Sequence, residues 1–272
     1  MKTLKRIAAG ILSTALLLGM TSCGTAKMTE ETGAANTDTD AAAAFTTVES
    51  GKLIMATNAF FPPYEYYEGD KIVGIDVEIA TAVADKLGLE LVIEDVEFDS
   101  IIAGVQSGKY DIGCAGMTVT EDRLKSVNFS TPYATGIQSI IVAADSEITD
   151  IDTLVSGDYK VGVQSGTTGD IYMTDEVGEE RIERFAKGND AIIALTSGKI
   201  SAVVIDNEPA KAFVAANDGL KILETPYTVE DYAMAINKDN EALKDAINQA
   251  LKELTDDGTI AAIINKYIPA EG

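Results

Sequence analysis

The feature that most constrains the fold is an order of elements that occurs twice. From Gly51 to Ala115, short apolar runs alternate with amphipathic runs in the order β-α-β-α-β, which is typical of a parallel α/β sheet. The same order returns from Asp158 to Ile205. The tripeptide Ser-Gly-Lys ends the second helix of each run, at residues 107–109 and 197–199. The repeat therefore predicts two similar α/β lobes.

The predicted elements follow from the apolar periods and from the turn residues between them. The first run predicts strands at 51–58, 89–94 and 111–115 and helices at 75–87 and about 99–106, with a hairpin turn at 68–71. The second run predicts strands at 158–163, 181–185 and 200–205 and helices at 168–176 and 190–196. A strand at 231–237 and helices at 241–254 and 259–267 follow the second run. Because these closing elements have no lobe of their own, we expect them to return to lobe 1, so that two strands cross between the lobes.

The amino terminus predicts export. Residues 1–22 combine a basic start with an apolar stretch that is too short to span a bilayer, which is typical of a signal peptide. The stretch ends in small residues before Cys23 and resembles a bacterial lipobox, so we expect Cys23 to carry lipid. The alternative is an ordinary cleaved signal followed by an incidental cysteine. Residues 23–47 are rich in Ala, Thr, Asp and Glu and predict a disordered tether.

Composition excludes several classes of function. The formal net charge is −23, which disfavours nucleic acid as a partner. The chain has no histidine, so His-based catalytic triads are excluded, and no cofactor or metal site is predicted. With Cys23 lipidated, Cys114 has no disulfide partner and is expected to be a buried thiol.

The stretch after the third predicted strand has the composition of an anion site. Gly116 permits a close backbone approach, Thr118 supplies a hydroxyl, and Thr120 is a good N-cap for the next helix. Arg123 lies in the first turn of that helix, where its charge opposes the helix dipole, so a negative partner is expected. A carboxylate ligand fits, since Arg grips carboxylates with two parallel hydrogen bonds. The alternative is a surface Arg paired with Glu121, Asp122 or another nearby acid.

The second lobe offers matching loops. The segment from Gln164 to Thr168 follows a strand and opens a helix, so it binds an anion or simply caps the helix. Asp206 ends the strand at 200–205 and is either an N-cap or a ligand for a cation. An ammonium on Asp206 and a carboxylate on Arg123, held across a cleft between the lobes, match the two charges of an α-amino acid.

At these residues the chain resembles the polar amino-acid-binding proteins of ABC importers, the family 3 solute-binding proteins. The similarity extends from about Lys52 to Tyr267, and its motifs are Phe61-Pro-Pro-Tyr-Glu65, Val73-Gly-Ile-Asp-Val77, Glu97-Phe-Asp99, Asp111 to Arg123, Phe129-Ser-Thr-Pro-Tyr133, Val163 to Thr168 and Asp257-Gly-Thr259. The resemblance implies a two-lobed α/β fold, the type II periplasmic-binding-protein fold. Each lobe is then a mostly parallel sheet flanked by helices, with lobe 1 at 48–135 and 230–269 and lobe 2 at 136–229. Hinges are implied near 133–137 and 228–232.

The resemblance also assigns a role to each candidate residue. It implies that Arg123 binds the ligand carboxylate with help from Gly116, Thr118 and Thr168, and that Asp206 takes the ammonium. Phe61 and Phe98 match aromatic walls around the ligand side chain, although both are also typical core residues. The positions that vary with the ligand are Asn58, Met117, Gln164 and Ile205. Members that hold cationic side chains tend to have Asp at the position of Asn58, so Asn58 favours a neutral polar ligand such as glutamine or cystine.

The function implied is capture of a free amino acid and delivery to an ABC permease and its ATPase. The protein is expected to be a monomer, lipid-anchored at the extracytoplasmic face of the cell membrane. Two alternatives remain open. A dehydratase of amino-acid precursors shares this fold, and a sensory amino-acid-binding module would use the same cleft.

Overall fold

The computed structural model describes residues 45–223 and 228–269. Within these residues, the predicted repeat forms two sheets that are flanked by helices. The predicted signal peptide, Cys23 and the tether up to residue 44 lie outside the described residues. Within the described ranges, no helix combines the length and the apolar character that a membrane crossing requires.

The first run folds largely as predicted, and its 75–87 helix has the predicted bounds. Its strands are β1 (Lys52–Thr57), β2 (Phe60–Phe61), β3 (Glu65–Glu68), β4 (Lys71–Val73), β5 (Glu90–Asp95), β6 (Ile112–Gly113) and β7 (Val127–Phe129), and its helices are α1 (Ile75–Leu87), α2 (Phe98–Gln106) and α3 (Glu121–Ser126). The strand predicted at 111–115 is shorter than expected. Asp111 and Cys114 nevertheless donate their N–H groups to β1 carbonyl oxygens, at 2.9 and 3.0 Å.

The second run also has the predicted order, with additional short elements that the periodicity did not indicate. Its strands are β8 (Ala134–Ala143), β9 (Val161–Gln164), β10 (Ile182–Phe185), β11 (Ala202–Asp206) and β12 (Leu220–Ile222), and its helices are α4 (Ile151–Ser156), α5 (Thr168–Val177), α6 (Gly188–Thr196) and α7 (Asn207–Ala216), with a 3₁₀ turn at Glu179–Arg181. The elements that the periodicity did not predict are β2, β7, α4 and β12. Each has only two to six residues, too few to establish a period.

The two Ser-Gly-Lys tripeptides end α2 and α6 in the same conformation. Gly108 and Gly198 have φ values of 74° and 73°, in the left-handed region that favours glycine. Lys109 N–H and Lys199 N–H each donate at 2.9 Å to the carbonyl oxygen five residues earlier. The predicted repeat is therefore a repeat of backbone geometry as well as of sequence.

The strand predicted at 231–237 is two strands in the structure. They are β13 (Thr228–Tyr232), which pairs with β8, and β14 (Ala235–Asn237), which pairs with β6 and β7. Ala233 and Met234 lie between them, and their N–H groups donate to Met117 O and Ser130 Oγ, at 3.1 and 3.0 Å. The strand divides because the chain changes sheet at this point. Helices α8 (Glu241–Asp256) and α9 (Thr259–Tyr267) follow.

The strands form two large mixed sheets. The first has the order β5-β1-β6-β14-β7 and, with α1–α3, α8, α9 and the small sheet β2-β3-β4, is called lobe 1 below. The second has the order β10-β9-β11-β8-β12, with β13 beside β8, and is called lobe 2 with α4–α7. In each sheet the three strands of the repeated run are parallel, and each of the other strands pairs antiparallel with its neighbour. The residue bounds given above for the two lobes, 48–135 with 230–269 and 136–229, stay predictions.

The central strands are buried on both faces. In β1, Leu53 and Met55 belong to one apolar cluster, and Ile54 and Ala56 belong to another. This arrangement is typical of strands covered by helices on both sides. The parallel strands therefore present their carboxyl ends, and not their faces, to a ligand.

Asp111 binds the segment that precedes β1, and β1 itself, by hydrogen bonds. Its carboxylate accepts hydrogen bonds from Val48 N and Ile54 N, both at 2.7 Å. Asn240 at the start of α8 donates to Thr46 O at 2.9 Å, and Phe45 packs against the core. The described chain is thus bound to lobe 1 from its first residues.

Candidate functional site

A narrow cavity lies between the lobes, at the carboxyl ends of β1, β6, β9 and β11. Nine of the eleven predicted ligand-binding residues line it, together with three that were not predicted. The predicted ones are Asn58, Phe61, Phe98, Gly116, Thr118, Arg123, Gln164, Thr168 and Asp206, and the others are Glu65, Ala115 and Thr167. The structure therefore brings residues from both lobes to one place.

Met117 and Ile205 do not line this cavity, contrary to the prediction. Both side chains are buried, at 0% and 4% exposure, in the apolar cores. Successive side chains of an extended chain point to opposite sides. Since Thr118 and Asp206 face the cavity, the residue before each of them faces a core.

Arg123 is buried, with 9% of its surface exposed, so the surface ion-pair interpretation is wrong. Its guanidinium donates to Thr118 O at 2.8 Å in lobe 1 and to Gly166 O at 3.1 Å in lobe 2, and it lies 5.3 Å from the centre of the Phe98 ring. Asp122 pairs instead with Lys125. Burial lowers the pKa of Arg123, and the nearby carboxylates oppose that effect. A guanidinium has five N–H donors, and these two bonds engage two of them.

Asp206 is also buried, and its carboxylate does not cap α7, so the N-cap interpretation is wrong for its side chain. It accepts hydrogen bonds from Tyr232 Oη and, at 2.9 Å, from Gln138 Nε2. Burial raises the pKa of Asp206 to about 7, although these two donors lower it. The carboxylate is therefore poorly solvated and would be stabilised by a cation.

Glu230 is a second acid beside Arg123 that was not predicted. On β13, it accepts hydrogen bonds from Thr118 Oγ1 at 3.2 Å, Gln138 Nε2 at 2.9 Å and Tyr172 Oη at 2.9 Å. Glu230 is 4% exposed whereas Val229 is 70% exposed, the reverse of the usual pattern. The exposures of these two residues are known only from the structure, so the sequence carried no signal that could have identified Glu230.

Gly116 contributes differently from the prediction. Its N–H donates at 2.7 Å to Asp76 Oδ2 in the first turn of α1, so it is not free to bind a ligand carboxylate. Its φ is 52°, and a Cβ at this position would lie 2.8 Å from the Phe61 ring. Glycine is required here because the loop passes directly over the aromatic wall.

The two aromatic residues and the loop before α5 each fit both of the roles that the sequence left open. Phe61 and Phe98 line the cavity, and each is also packed at the edge of an apolar cluster. Thr167 is the N-cap of α5, since its Oγ1 accepts from Asp170 N at 3.2 Å. Thr168 faces the cavity, and its Oγ1 lies 3.4 Å from Gln138 Nε2. The loop therefore caps the helix and lines the cavity at once.

The two lobes are in contact over the cavity. Gln164 Nε2 donates to Asn58 Oδ1 at 2.9 Å, and Ser165 Oγ donates to Asp99 Oδ2 at 3.0 Å. Together with the bond from Arg123 to Gly166, these contacts join lobe 1 to lobe 2. The structure is thus a closed conformation, in which groups lining the cavity are shielded from water.

The cavity carries opposite charges on opposite lobes. Arg123 on lobe 1 suits a carboxylate, and Asp206 on lobe 2 suits an ammonium, both in a low-dielectric setting where ion pairs are stronger than in water.

The buried thiol of Cys114 is free, as predicted, and burial raises its pKa well above the usual range.

The sequence of the chain is similar to those of known extracellular binding proteins. The family model described as bacterial extracellular solute-binding proteins, family 3, matches residues 53–270. The arginine-binding extracellular protein ArtP of Bacillus subtilis (strain 168) is 35% identical over 235 residues, which cover 82% of this chain and 89% of that protein.

Solved structures share the fold. An ancestral arginine-binding protein bound to glutamine matches with a TM-score of 0.77 and 38% identity, covering 81% of this chain and 99% of that one. An ancestral amino-acid-binding protein, AncCDT-1, described as a precursor of cyclohexadienyl dehydratase, matches with a TM-score of 0.74 and 31% identity over 80% and 95% of the two chains. The predicted type II periplasmic-binding-protein fold is confirmed.

Proposed function

The chain belongs to the bacterial extracellular solute-binding proteins of family 3, and we propose that it captures a free amino acid between its lobes for an ABC importer. The observation that carries the proposal is the pair of buried opposite charges, Arg123 and Asp206, in one cavity between the lobes. The similar proteins named above bind amino acids according to their descriptions.

In the proposed complex the α-carboxylate lies on Arg123, with hydroxyl donors from Thr118 and Thr168. The α-ammonium lies on Asp206, whose poorly solvated carboxylate gains a counter-ion. The ligand side chain then extends between Phe61 and Phe98. The N–H groups of Arg123 that are not bonded to Thr118 O or Gly166 O would donate the two parallel hydrogen bonds that a carboxylate accepts.

The side-chain end of the cavity decides the ligand. Asn58 and Gln164 offer neutral amides, which favours glutamine or cystine, whereas Glu65 adds a buried carboxyl group that favours a cation. The ancestral protein named above is described as arginine-binding and was solved with glutamine. We therefore propose a long polar amino acid, either neutral, such as glutamine or cystine, or cationic, such as arginine.

Delivery to a permease and its ATPase is part of the proposal. Lobe contacts of the kind seen here would present a closed surface to the permease, as in other hinge-closing proteins. Lipid attachment at Cys23 would keep the protein at the extracytoplasmic face of the membrane. A palmitate analogue should label the protein in cells, and a Cys23→Ser variant should lose the label; an unlabelled wild type would refute lipid attachment.

A dehydratase is the alternative from the same fold. AncCDT-1, although a precursor of an enzyme, is itself described as an amino-acid-binding protein. The similarity therefore supports binding more than turnover. Incubation with prephenate or arogenate should give no product.

Thermal melting of the unfolded and refolded protein against the twenty amino acids, cystine and ornithine tests the proposal. Refolding removes ligand retained from the expression host. A ligand at 100 times its Kd adds about 2.7 kcal/mol to the free energy of unfolding, enough to raise Tm by several degrees. We expect shifts with arginine and glutamine. Absence of a shift with every amino acid, from a cooperatively folding sample, would contradict the proposed function.

A further inference from the structure

Two buried carboxyl groups meet beneath the side-chain end of the cavity. Glu65 on β3 lines the cavity and is 1% exposed, and Asp76 in the first turn of α1 is 0% exposed. The Asp76 N–H donates at 3.0 Å to the carbonyl oxygen of Tyr64, the residue before Glu65, so the two acids are neighbours in space. Two carboxylates so close in a buried setting do not both ionise readily.

The hydrogen bonds indicate which of the two holds a proton. Asp76 Oδ2 accepts from Gly116 N and from Tyr133 Oη, both at 2.7 Å, and these donors favour its ionised form. Asp76 Oδ1 and Glu65 Oε2 are buried with no hydrogen-bond partner among the described residues. If Glu65 carries a proton and donates it to Asp76, a single hydrogen bond gives both of these oxygen atoms a partner.

The other acidic groups around Glu65 reinforce this assignment. Asp206 on β11 and Asp95 on β5 add negative charge, whereas the neutral Tyr133 and Cys114 contact Asp76. Arg123 on α3 is a cation on the same cavity. Burial first, and then the charge of Asp76, raise the pKa of Glu65 well above its usual range. Burial raises the pKa of Asp76 to about 6, with its donors opposing the increase.

We propose that Glu65 and Asp76 share one proton and that this proton sets the charge of the ligand side chain that the cleft accepts. With the proton in place, Glu65 is a neutral donor that suits an amide. When a guanidinium enters, the O–H bond of Glu65 breaks, the proton leaves to solvent, and the carboxylate pairs with the cation. This inference rests on the proposed function. It assigns to Glu65, which lines the cavity, and to Asp76 on α1 a role in selecting the ligand.

Asp76 acts as a positioning residue in this arrangement. It lies behind Glu65 and acts on the ligand through the proton that it holds there. It also orients the Gly116 loop and accepts from Tyr133, just before the β8 crossover. An Asp76→Asn substitution keeps an acceptor for these two donors and supplies an N–H that stabilises ionised Glu65.

The inference predicts different proton linkage for two ligands. Every amino acid requires ionised Asp206, so that effect is common to arginine and glutamine and cancels in the ratio of their Kd values. Arginine additionally requires ionised Glu65. The preference for arginine over glutamine should therefore rise with pH, by up to about tenfold per pH unit while Glu65 is protonated in the free protein.

The test is calorimetric titration of the purified protein with arginine and with glutamine between pH 5.5 and 8.5, in buffers of different ionisation enthalpy. We expect arginine to release up to one proton more than glutamine. Glu65→Gln should weaken arginine at least tenfold, retain glutamine and make their ratio independent of pH. Asp76→Asn should keep a high arginine preference at low pH. Glu68→Gln is the matched control, since Glu68 is an exposed acid on the same strand as Glu65, and it should behave as wild type.

A second measurement does not depend on the ligand. Carbon-13 NMR of labelled carboxyl groups should show Glu65 protonated at neutral pH in the free protein and ionised in Asp76→Asn at the same pH. Equal proton release for the two amino acids, or the same pH-dependent ratio in the wild type and both pair variants, would overturn this inference alone. Failure of arginine and glutamine to bind at every pH would overturn this inference, whereas the proposed function falls only if no amino acid of the melting series binds.

Discussion

Lobe 1 and lobe 2 repeat one backbone pattern but place opposite charges at its equivalent ends. The third strand of the first run, β6, leads through Gly116 to the buried cation Arg123, and the third strand of the second run, β11, ends at the buried anion Asp206. The helices before these strands end in the same way at Gly108 and Gly198. The repeat therefore supplies the scaffold, and the residues that differ between the lobes supply the chemistry.

Replacement of the lobe 1 cation should have the largest effect. Arg123→Ala leaves the ligand carboxylate buried without its charged partner, a loss of about 3 kcal/mol or more, so affinity should fall at least about 100-fold. Lys125→Ala in the same helix is the control, because the Lys125 side chain is 75% exposed. Calorimetry measures both. Near-normal affinity in a cooperatively folding Arg123→Ala protein would refute the carboxylate site.

Neutralisation of the lobe 2 anion should have the next largest effect. Asp206→Asn should weaken binding of every amino acid by about 2 kcal/mol, or about 30-fold, because the ammonium loses its counter-ion. The control is Asp190→Asn, on an exposed acid of α6.

The pH dependence distinguishes Asp206 from a merely structural acid. Since burial raises the pKa of Asp206 to about 7, wild-type affinity should fall as pH decreases through 7, and this component should vanish in Asp206→Asn. A raised carboxyl pKa stabilises the free protein at low pH, and this stability is lost as pH rises through 7. Asp206→Asn should therefore melt higher than the free wild type at pH 8. A lower melting temperature at pH 8 would contradict this account.

The shared part of the repeat should respond equally in the two lobes. Gly108→Ala and Gly198→Ala each place a Cβ at a left-handed φ, with no heavy atom within 4 Å of the new carbon. Backbone strain alone should then cost about 1 kcal/mol in each case. Urea denaturation gives the two values, and arginine affinity serves as the control that should not change. Clearly unequal losses would show that the two helix ends are not equivalent.

The contact between the lobes should have the smallest effect. Ser165→Ala removes the exposed hydrogen bond to Asp99 and should weaken all amino acids about two- to threefold, without a change in their order. Ser156→Ala, within α4, is the matched control. A change in the arginine-to-glutamine ratio would mean that Ser165 contacts the ligand.

The long periodic elements could be predicted from sequence because local rules decide them. Helices α1 and α9 have the predicted bounds, and the predicted cap at Thr120 is present, with Thr120 Oγ1 accepting from Arg123 N at 3.2 Å. Division of the predicted 231–237 strand could not be anticipated, since nothing local marks the point at which a strand changes sheet. That property depends on which loops satisfy Ala233 and Met234.

The candidate site was predictable where a charge or a glycine was unusual for its position. Arg123 in a helix first turn and Asp206 at a strand end carried such signals. Met117 and Ile205 were misplaced because a resemblance identifies a position in the chain without the direction of its side chain. Asp76 was overlooked because an acid in the first turn of a helix is ordinary, and only tertiary structure reveals that it is buried beside Glu65.

The bonds made by Asp111 also determine how the protein would carry a mechanical load. A pull on the chain before residue 45 would reach the sheet at Val48 and Ile54, which the carboxylate joins to β6. The tension would stop at the centre of lobe 1, far along the chain from the β8 and β13 crossovers. If the chain is attached before residue 45, as proposed, the load would therefore enter lobe 1 and not the strands that cross between the lobes.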